Sequence, residues 1–502
     1  MFVWKNLFVI FHKSLPMYIW QCNGNCKLWK SGLSIYLRSE TVSKQITFAN
    51  FIVWYYVLQL NVPLDIVMEN VVNNFVDAEH TITLGATVPT GFEDVSCKEI
   101  QEKITALQTA TCQGRVYFQV APNMLQKIHQ LRSVDNLFMV IKFYSSYEYN
   151  CSKEKLLEEM NDMPSKLPWK EVVKIWNKNQ KYCKKKKYVK KFFASQSRGG
   201  KVQELEQSVL VSAEAAEPGN FEPKQKAAKC LQNDEDEIRF RVTANRVGKK
   251  QCITSPEAEW HFGGALQDLT QWKVDLSNYN LEVFLTLGIE SVMISLSLTQ
   301  GSLHHRNITH FGKTTLRSTI CYNMLRLCDI QPGDIVIDPL CGTGSISIEG
   351  DAEWKEAFHI AGDIAHPAVS RCANNAKMIN SKVGPSKCNI GILKWDAIDL
   401  PLRSGVADVI ITDLPFGKRM GSKKDNRILY PAILKEIARV SKLRTARACL
   451  LTHDKRCIIN AISQVSSLWK CQRSMFINVG GLSVGVYLLK RTLNFTEHDI
   501  VK

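Results

Sequence analysis

Hydrophobic and polar residues alternate in short runs between residues 81 and 298, a pattern typical of strands with one buried face. In the run 238–245, Phe240 would face inward between Arg239 and Arg241, which face outward. Helical spacing separates several of these runs, and one predicted helix has Ser255 as a candidate N-cap. The pattern predicts an α+β region with strands at 81–87, 114–120, 137–143, 238–245, 281–287 and 292–298 and helices at 93–104, 123–131 and 255–268.

Beyond residue 330, short apolar runs each lead to an aspartate, and segments of helical character follow them. These runs end at Asp338, Asp363 and Asp413. Segments 366–375 and 430–440 are predicted helices, and 476–489 predicts an antiparallel hairpin that closes the sheet. Strands that alternate with helices predict an α/β, Rossmann-like domain, in which ligands bind at the carboxyl ends of the strands.

A glycine loop separates the first of these strands from the helix after it. Residues 338–344 read D-P-L-C-G-T-G, with Gly342 and Gly344 forming a tight turn. Glycine lets a ligand approach the backbone, and free N–H groups at a helix start can face polar ligand atoms. Neither the G-x-G-x-x-G dinucleotide pattern nor the Gly-Lys-Ser/Thr phosphate loop is present. The loop resembles the first motif of S-adenosylmethionine-dependent methyltransferases.

A second motif, D-L-P-F at 413–416, follows the third run. It resembles the Asp/Asn-Pro-Pro-Tyr/Phe motif of methyltransferases that act on exocyclic amines, with Leu414 as a departure. A base amine is a weak nucleophile because its lone pair is delocalised into the ring. Asp413 and a backbone carbonyl near Pro415 would orient the amine, and Phe416 would stack on the base. A 5-methylpyrimidine enzyme is disfavoured, because its chemistry needs a nucleophilic cysteine near this proline.

Composition adds expectations about partners and compartment. The 502 residues suggest several domains, and a net charge of +16 favours a polyanionic partner such as RNA. The 16 cysteines are scattered without zinc-site spacing, so we expect free thiols in a reducing compartment and no metal. A lysine run that includes 184–187 fits a solvated surface or a nuclear localisation signal, and the segment up to an acidic stretch at 234–237 reads as a flexible insertion.

The first 80 residues fit no clear pattern. No acidic residue occurs among the first 39, which faintly suggests a transit peptide. Segment 45–64 lacks charge and is long enough to be considered as a membrane span, but Asn50, Asn61 and Pro63 argue against this. We therefore expect no membrane association and assign this segment no function.

Several longer strings together resemble the THUMP-domain guanine-N2 methyltransferases of tRNA. They are G-A-T-V-P-T-G-F-E, R-F-R-V-T-A-N-R, T-H-F-G-K-T-T-L-R-S-T, D-L-P-F-G-K-R-M-G-S-K-K and V-G-G-L. The resemblance implies an N-terminal extension at 1–80, a ferredoxin-like module at 81–165, and a THUMP domain at 166–300 that is interrupted at about 180–237. A linker helix region at 301–330 and a class I S-adenosylmethionine-dependent methyltransferase domain at 331–492 would follow.

The same resemblance implies a reaction and its partners. The expected activity is methyl transfer from S-adenosylmethionine to guanine N2 in the tRNA acceptor stem at position 6, and also at position 7. A small zinc-ribbon activator subunit and a cytoplasmic location, extending to the nucleus, are further expectations. Two alternatives stay open: an RNA adenine-N6 methyltransferase, and a noncatalytic RNA-binding scaffold with a relic methyltransferase domain.

Individual residues acquire expected roles from these motifs. Asp338, Gly342 and Gly344 would hold the cofactor, with Asp363 on its ribose and Asp396 on its adenine amine. Weaker candidates for the cofactor carboxylate are Arg306 and Arg317. Weak candidates for RNA contact are Arg239, Arg241, Arg246, Lys418 and Arg419.

Overall fold

The computed structural model describes residues 81–149, 152–182, 237–248, 252–383, 389–417 and 422–494, together with four strands near the N-terminus. The chain divides into two compact units, Met1–Val67 and Met68–Lys502. The first unit contains an antiparallel sheet in the order β1-β4-β3-β2, with strands β1 Leu7–Ile10, β2 Met17–Cys22, β3 Asn25–Lys30 and β4 Leu33–Arg38. Segment 45–64, considered above as a membrane span, lies outside the described residues.

An eight-stranded sheet forms the first half of the second unit. Its strands run in the order β10-β9-β11-β12-β8-β5-β7-β6. They are β5 Ile82–Thr87, β6 Gln108–Cys112, β7 Arg115–Val120, β8 Asn136–Tyr144, β9 Arg239–Arg246, β10 Lys273–Val274, β11 Leu281–Leu287 and β12 Val292–Ser297. The helices of this region are α1 Glu93–Ile104, α2 Leu125–Ile128, α3 Lys153–Asp162, α4 Trp169–Gln180 and α5 Ser255–Thr270.

This sheet crosses the expected boundary between residues 165 and 166. β12 pairs antiparallel with β8, so strands from both expected modules are direct neighbours. Their buried side chains also share one hydrophobic core, in which Phe118 and Met139 belong to the first module and Phe240 and Leu285 to the second. The alternation predicted for β9 is confirmed, because Phe240 is buried and the flanking arginines are only partly so. The two modules therefore fold around a common core.

Two local expectations in this region need correction. The helix at 255–270 is capped by Thr254 and not by Ser255, because Thr254 places Glu257 at the third helical position. The Glu257 side chain then accepts a hydrogen bond from the Thr254 N–H while the Thr254 hydroxyl accepts one from Glu257 N–H. The helix expected at 123–131 is shorter: a 3₁₀ turn at Pro122–Met124 leads into the single turn of α2.

A seven-stranded sheet forms the second half of the unit, in the order β15-β14-β13-β16-β17-β19-β18. Its strands are β13 Ile335–Asp338, β14 Phe358–Asp363, β15 Ile390–Lys394, β16 Val409–Asp413, β17 Arg447–Thr452, β18 Trp469–Val479 and β19 Leu482–Arg491. Its helices are α6 Ser318–Leu327, α7 Ser345–Glu353, α8 His366–Val383, α9 Lys423–Val440 and α10 Lys455–Gln464. This α/β, Rossmann-like architecture confirms the predicted fold class.

Strand directions in this sheet decide where a ligand can bind. β13 to β17 are mutually parallel, whereas β18 and β19 form the antiparallel closing hairpin. The chain leaves β13 toward β14 and β15 on one side and later returns to β16 on the other. Such a reversal of strand order opens a crevice at the carboxyl ends of the strands. Asp338, Asp363 and Asp413 all lie at this edge.

No helix in the described part of the chain is long and apolar enough to cross a membrane.

Candidate active site

Asp338 ends the central strand and is almost completely buried, with 2% of its surface exposed. Its Oδ1 accepts a hydrogen bond from the Thr412 hydroxyl at 2.8 Å and another from Leu340 N–H at 3.2 Å. Burial raises the pKa of Asp338 to about 7, although the hydrogen bond from Thr412 opposes that change. Asp338 thus joins the glycine loop to the strand that carries Asp413, and its expected contact with the cofactor stays a prediction.

The glycine loop is held by the neighbouring strand. Gly342 N–H donates to Asp363 Oδ2 at 3.1 Å, and Ala365 N–H donates to Asp363 Oδ1 at 2.9 Å. Cys341 N–H also donates to the Gly362 carbonyl at 2.8 Å. Asp363 therefore fixes the loop in addition to its predicted role as the ribose ligand.

The two glycines of the loop have different functions. Both have positive φ angles, +53° at Gly342 and +80° at Gly344. A Cβ on Gly342 would meet no atom within 4 Å, whereas a Cβ on Gly344 would lie 2.4 Å from Cys372 Sγ. Gly342 therefore faces open space into which a ligand can reach, and Gly344 allows close packing against α8. A loop with an open backbone face fits S-adenosylmethionine, and Gly342 is the glycine that would contact it.

Asp396 lies on the same side of the loop, at the end of β15. The Trp395 indole anchors this position: its Nε1 donates to the Pro339 carbonyl at 3.1 Å, and a Cβ on Gly362 would collide with its ring. Asp396 itself is exposed, and its Oδ1 accepts a hydrogen bond from Ile398 N–H at 3.1 Å. An exposed carboxylate here fits the predicted contact with an adenine amine.

Asp413 has the least satisfied carboxylate of the site. Its Oδ1 is buried and has no hydrogen-bond partner among the described residues. Burial, and secondly the charge of Asp338, raise the pKa of Asp413 well above its ordinary value. A buried acceptor without a donor is costly in a folded protein, and such groups concentrate at functional sites. Asp413 therefore lacks a partner that a substrate can supply, and the buried Asn426 Oδ1 on α9 is likewise without one among the described residues.

The loop after Asp413 is fixed by α9. The Pro415 carbonyl accepts hydrogen bonds from the Tyr430 hydroxyl at 2.7 Å and from Asn426 Nδ2 at 3.0 Å. Because these donors already use both lone pairs of that carbonyl, Pro415 fixes the loop and leaves the amine to another acceptor. The half-buried Phe416 ring lies 6.1 Å from the His453 ring. Sequence analysis missed Asn426 and Tyr430 as site residues. The helix predicted at 430–440 excluded Asn426, whereas α9 begins at Lys423, behind the capping box of Ser422 and Asp425.

A buried asparagine, also missed from the sequence, joins the linker to the glycine loop. Asn375 Oδ1 accepts from the backbone N–H groups of Thr309 and His310 at 3.0 and 2.8 Å. Its Nδ2 donates to the carbonyls of His310 and Thr343 at 3.1 and 3.0 Å. A Cβ on Gly312 would lie 3.2 Å from Thr343. The string T-H-F-G-K thus packs directly on the loop.

The two weaker candidates for the cofactor carboxylate, Arg306 and Arg317, have different surroundings. The Arg306 guanidinium is bound by Glu349 and by the Arg132 carbonyl, so it is already occupied by protein groups; Arg317 is exposed.

Of the predicted RNA contacts, Arg241 pairs with Glu282 and lies over the Tyr279 ring at 4.0 Å. Arg246 donates to the Ile253 carbonyl at 2.7 Å, and the side chain of Arg239 is partly buried. Lys418 and Arg419, like the lysine run that includes 184–187, lie outside the described residues. Their contact with RNA stays a prediction.

Known proteins resemble this chain over most of its length. The UPF0020 family model, described as an RMKL-like methyltransferase domain, matches residues 306–484. The chain is 42% identical over 454 residues to the Bos taurus tRNA (guanine(6)-N(2))-methyltransferase THUMP3, which covers 83% of this chain and 90% of the relative. The Homo sapiens protein of the same name is 40% identical over 453 residues, with 83% and 89% coverage.

Solved structures share the fold across both sheets. TrmN from Thermus thermophilus has a TM-score of 0.60 at 21% identity, over 82% of this chain and 100% of that chain. The protein SMU.472, solved in complex with SAH, has a TM-score of 0.56 at 16% identity, over 83% and 100%. Both regions of this chain, and not only its methyltransferase sheet, therefore belong to a known architecture.

Proposed function

This chain belongs to the family of tRNA (guanine(6)-N2)-methyltransferases to which its bovine and human relatives are assigned, and we propose that it methylates N2 of a guanine in tRNA with S-adenosylmethionine as methyl donor. The observation that carries this proposal is Asp413 Oδ1, which has no hydrogen-bond partner among the described residues and lies at the same edge of the sheet as the open backbone face of Gly342. The reaction requires an acceptor for the amine and a binding surface for the methyl donor.

The residues of the site have distinct parts in this reaction. When bound, S-adenosylmethionine supplies an electrophilic methyl group on a sulfonium. Asp413 Oδ1 accepts one N–H of the guanine amine and turns the nitrogen lone pair away from the ring. Phe416 offers a ring face on which the base can stack. The methyl group would leave sulfur as its bond to the amine nitrogen forms, and the amine proton would pass to Asp413, whose raised pKa makes it a better proton acceptor than an ordinary carboxylate.

A paired guanine must leave its stem for this geometry to work. N2 lies in the minor groove of a duplex, whereas Asp413 is recessed at the carboxyl edge of the sheet. We infer that the target guanine is flipped out of the acceptor stem into this crevice. Tyr430 and Asn426 hold the loop that receives it, so the receiving surface is formed before the base arrives.

The finer assignments rest on the family. The relatives' name specifies guanine 6, and we propose the same acceptor-stem position for this chain, with position 7 as a second target. The zinc-ribbon activator subunit, and a location in the cytoplasm that extends to the nucleus, are proposed on the same basis. The lysine run that includes 184–187 supports the nuclear part.

The test is methyl transfer from labelled cofactor to unmodified tRNA, with and without the activator subunit, followed by nucleoside analysis. We expect N2-methylguanosine with the wild-type protein and a loss of about 100-fold or more with Asp413→Ala. N6-methyladenosine as the product would favour the adenine alternative instead. Tight tRNA binding without cofactor binding or product would favour the scaffold. Asp268→Ala, an exposed aspartate on α5, is the control.

A further inference from the structure

Apart from the crevice at the carboxyl ends of the strands, a cavity lies between the eight-stranded region and the methyltransferase domain. Its volume is about 680 Å³. One wall comes from α1, from α2 and from the turn after α2, which contribute Lys103, Lys127 and Arg132 respectively. The other wall comes from the linker at Arg306 and from Glu353 at the C-terminal end of α7. Because α7 begins at the glycine loop and ends here, this cavity is separate from the cofactor site.

The acids around the cavity are already neutralised. Glu349 is fully buried behind the wall. Its Oε2 forms ion pairs with Arg132 Nη2 at 2.7 Å and with Arg306 Nη2 at 3.0 Å. Burial alone would raise the pKa of Glu349, but Arg306 and Arg132 hold it below its ordinary value. Glu353 pairs with Lys103, which also lies 3.0 Å from the buried Glu99. None of these three carboxylates is free to neutralise a further cation.

Positive charge therefore remains in the cavity. Four cationic side chains line it: Lys103, Lys127, Arg132 and Arg306. Three acids oppose them, namely Glu353 in the lining and Glu99 and Glu349 behind the wall, which leaves one positive charge in excess. The excess resides on Lys127, which is exposed and has no ion pair within the described ranges of the chain. His129 adds no charge at neutral pH, because burial lowers its pKa, and its Nε2 is hydrogen-bonded to Asn179. The cavity is suited to a monoanionic group.

The size and the rest of the lining narrow the ligand further. Small-molecule pockets usually measure about 300–1,000 Å³, so this cavity holds much more than a phosphate ion. The half-buried Leu303 gives it an apolar surface, and Gln130 and Asn307 add groups that can donate and accept hydrogen bonds. A phosphate joined to a sugar and a base matches this combination of one excess charge, apolar wall and amide side chains.

We propose that this cavity binds one nucleotide of the RNA substrate, with its phosphate on Lys127 and its sugar and base against Leu303. The inference rests on the proposed function only in taking RNA as the substrate. Since one wall belongs to the eight-stranded region and the other to the linker and α7, a nucleotide bound here sets the position of the RNA strand relative to Asp413.

The test compares Lys127→Ala with Lys98→Ala, an exposed lysine on α1 that does not line the cavity. The dissociation constant for unmodified tRNA is measured with the full chain over a series of salt concentrations. Loss of one phosphate contact lowers the slope of log Kd against log salt by about 1. We expect this change for Lys127→Ala and an unchanged slope for Lys98→Ala. An unchanged slope for Lys127→Ala, or an equal change in both variants, would overturn the proposal.

Two further measurements separate the remaining outcomes. Adenosine monophosphate, titrated without RNA, tests whether the cavity takes a free nucleotide; binding that is abolished by Lys127→Ala and is tighter than that of tRNA would overturn the RNA assignment. Cofactor binding, measured on each variant, should match the wild type. Failure of the wild type to methylate tRNA would contradict the proposed function and leave the salt-slope result as an independent measure of this cavity.

Discussion

The carboxylates at the active edge and those at the junction between the two sheets have opposite electrostatic surroundings. Asp338 is almost completely buried and Asp413 is half-buried, no cation among the described residues pairs with either, and their pKa values are raised. Glu99 and Glu349 are completely buried as well, yet basic side chains and N–H donors hold their pKa values below the ordinary range against the effect of burial. The carboxylates of the active site therefore lower the stability of the fold, whereas the paired carboxylates of the junction maintain it.

This contrast shows how to tell a functional acid from a structural one in the same chain. A structural carboxylate receives its donors from the protein, as Glu349 does from Arg132, Arg306 and Asn307. A functional one keeps an acceptor open for a ligand, as Asp413 does. Substitutions in the two groups should change stability with opposite sign.

Asp338→Asn should remove a large pH-dependent cost to the stability of the fold. Because the folded pKa is about 7 and the unfolded one near 4, the carboxyl contributes most to stability below pH 4, and this contribution is lost as pH rises to 7. The wild type should lose up to about 4 kcal/mol over that window from this group, and the variant should not. Denaturant unfolding of both proteins at pH 5 and pH 8 measures the difference. Parallel pH profiles for the two proteins would contradict it.

Glu349→Gln should act in the other direction. The substitution leaves Arg306 with no carboxylate and Arg132 with only Glu353 at 3.8 Å, which costs about 3 kcal/mol. Glu356→Gln, an exposed glutamate three residues beyond the end of the same helix, should change stability by less than about 0.5 kcal/mol. Unfolding free energies at pH 7 check both values. Equal stability of the two variants would show that the buried pairs contribute nothing.

The glycine loop contains the same contrast on a smaller scale. Gly344→Ala should destabilise the fold by about 2 kcal/mol, since its Cβ would collide with Cys372 Sγ at a positive φ angle. Gly342→Ala should cost about 1 kcal/mol through its positive φ angle alone, and should weaken cofactor binding because its Cβ enters the ligand space. Calorimetric titration with S-adenosylmethionine and unfolding of both variants measure the two effects. A weaker affinity for Gly344→Ala than for Gly342→Ala would reverse the assignment.

Tyr430→Phe should have the smallest effect on stability, about 1 kcal/mol, because it removes one hydroxyl that donates to the Pro415 carbonyl. Turnover should fall more than tRNA binding, since the loop that carries Phe416 loses one of its two supports. Tyr487→Phe is the matched control: the Tyr487 hydroxyl is buried and has no hydrogen-bond partner in the described part of the chain. Its loss should not reduce stability. An equal decrease in turnover for both variants would argue against a positioning role for Tyr430.

Local signals determined how much of this structure the sequence could predict. α1 and β11 were predicted with their observed bounds. The apolar spacing marks α1, and the apolar run together with the glycine that follows it marks β11. The three aspartates at the active edge were also placed correctly, since each follows an apolar run. β6 was missed because it is an edge strand with one fully buried residue. α3 was missed because only two of its residues, Leu156 and Met160, are buried, and α4 because its lysines continue into the basic run.

Contacts between distant residues could not be predicted from periodicity. Glu349 contacts Arg132 across 217 positions, and Asn375 contacts Thr309 across 66. The residues next to Glu349 and Asn375 in the sequence do not show whether either side chain is buried and hydrogen-bonded or exposed to solvent. The supports of the catalytic loop are intermediate, because Asn426 and Tyr430 lie only 11 and 15 positions from Pro415.

The pairing of β12 with β8 also has a consequence for the growing chain on the ribosome. β5 and β8 are synthesised early, but the strand that completes the other side of β8 emerges about 150 residues later. At about 5–20 residues per second, the free edge of β8 waits on the order of 10–30 s for its partner. An open edge of that kind pairs readily with other chains. Each residue inserted between the two strands lengthens the wait, so the interval between the halves of this sheet sets how long the nascent protein needs protection by chaperones.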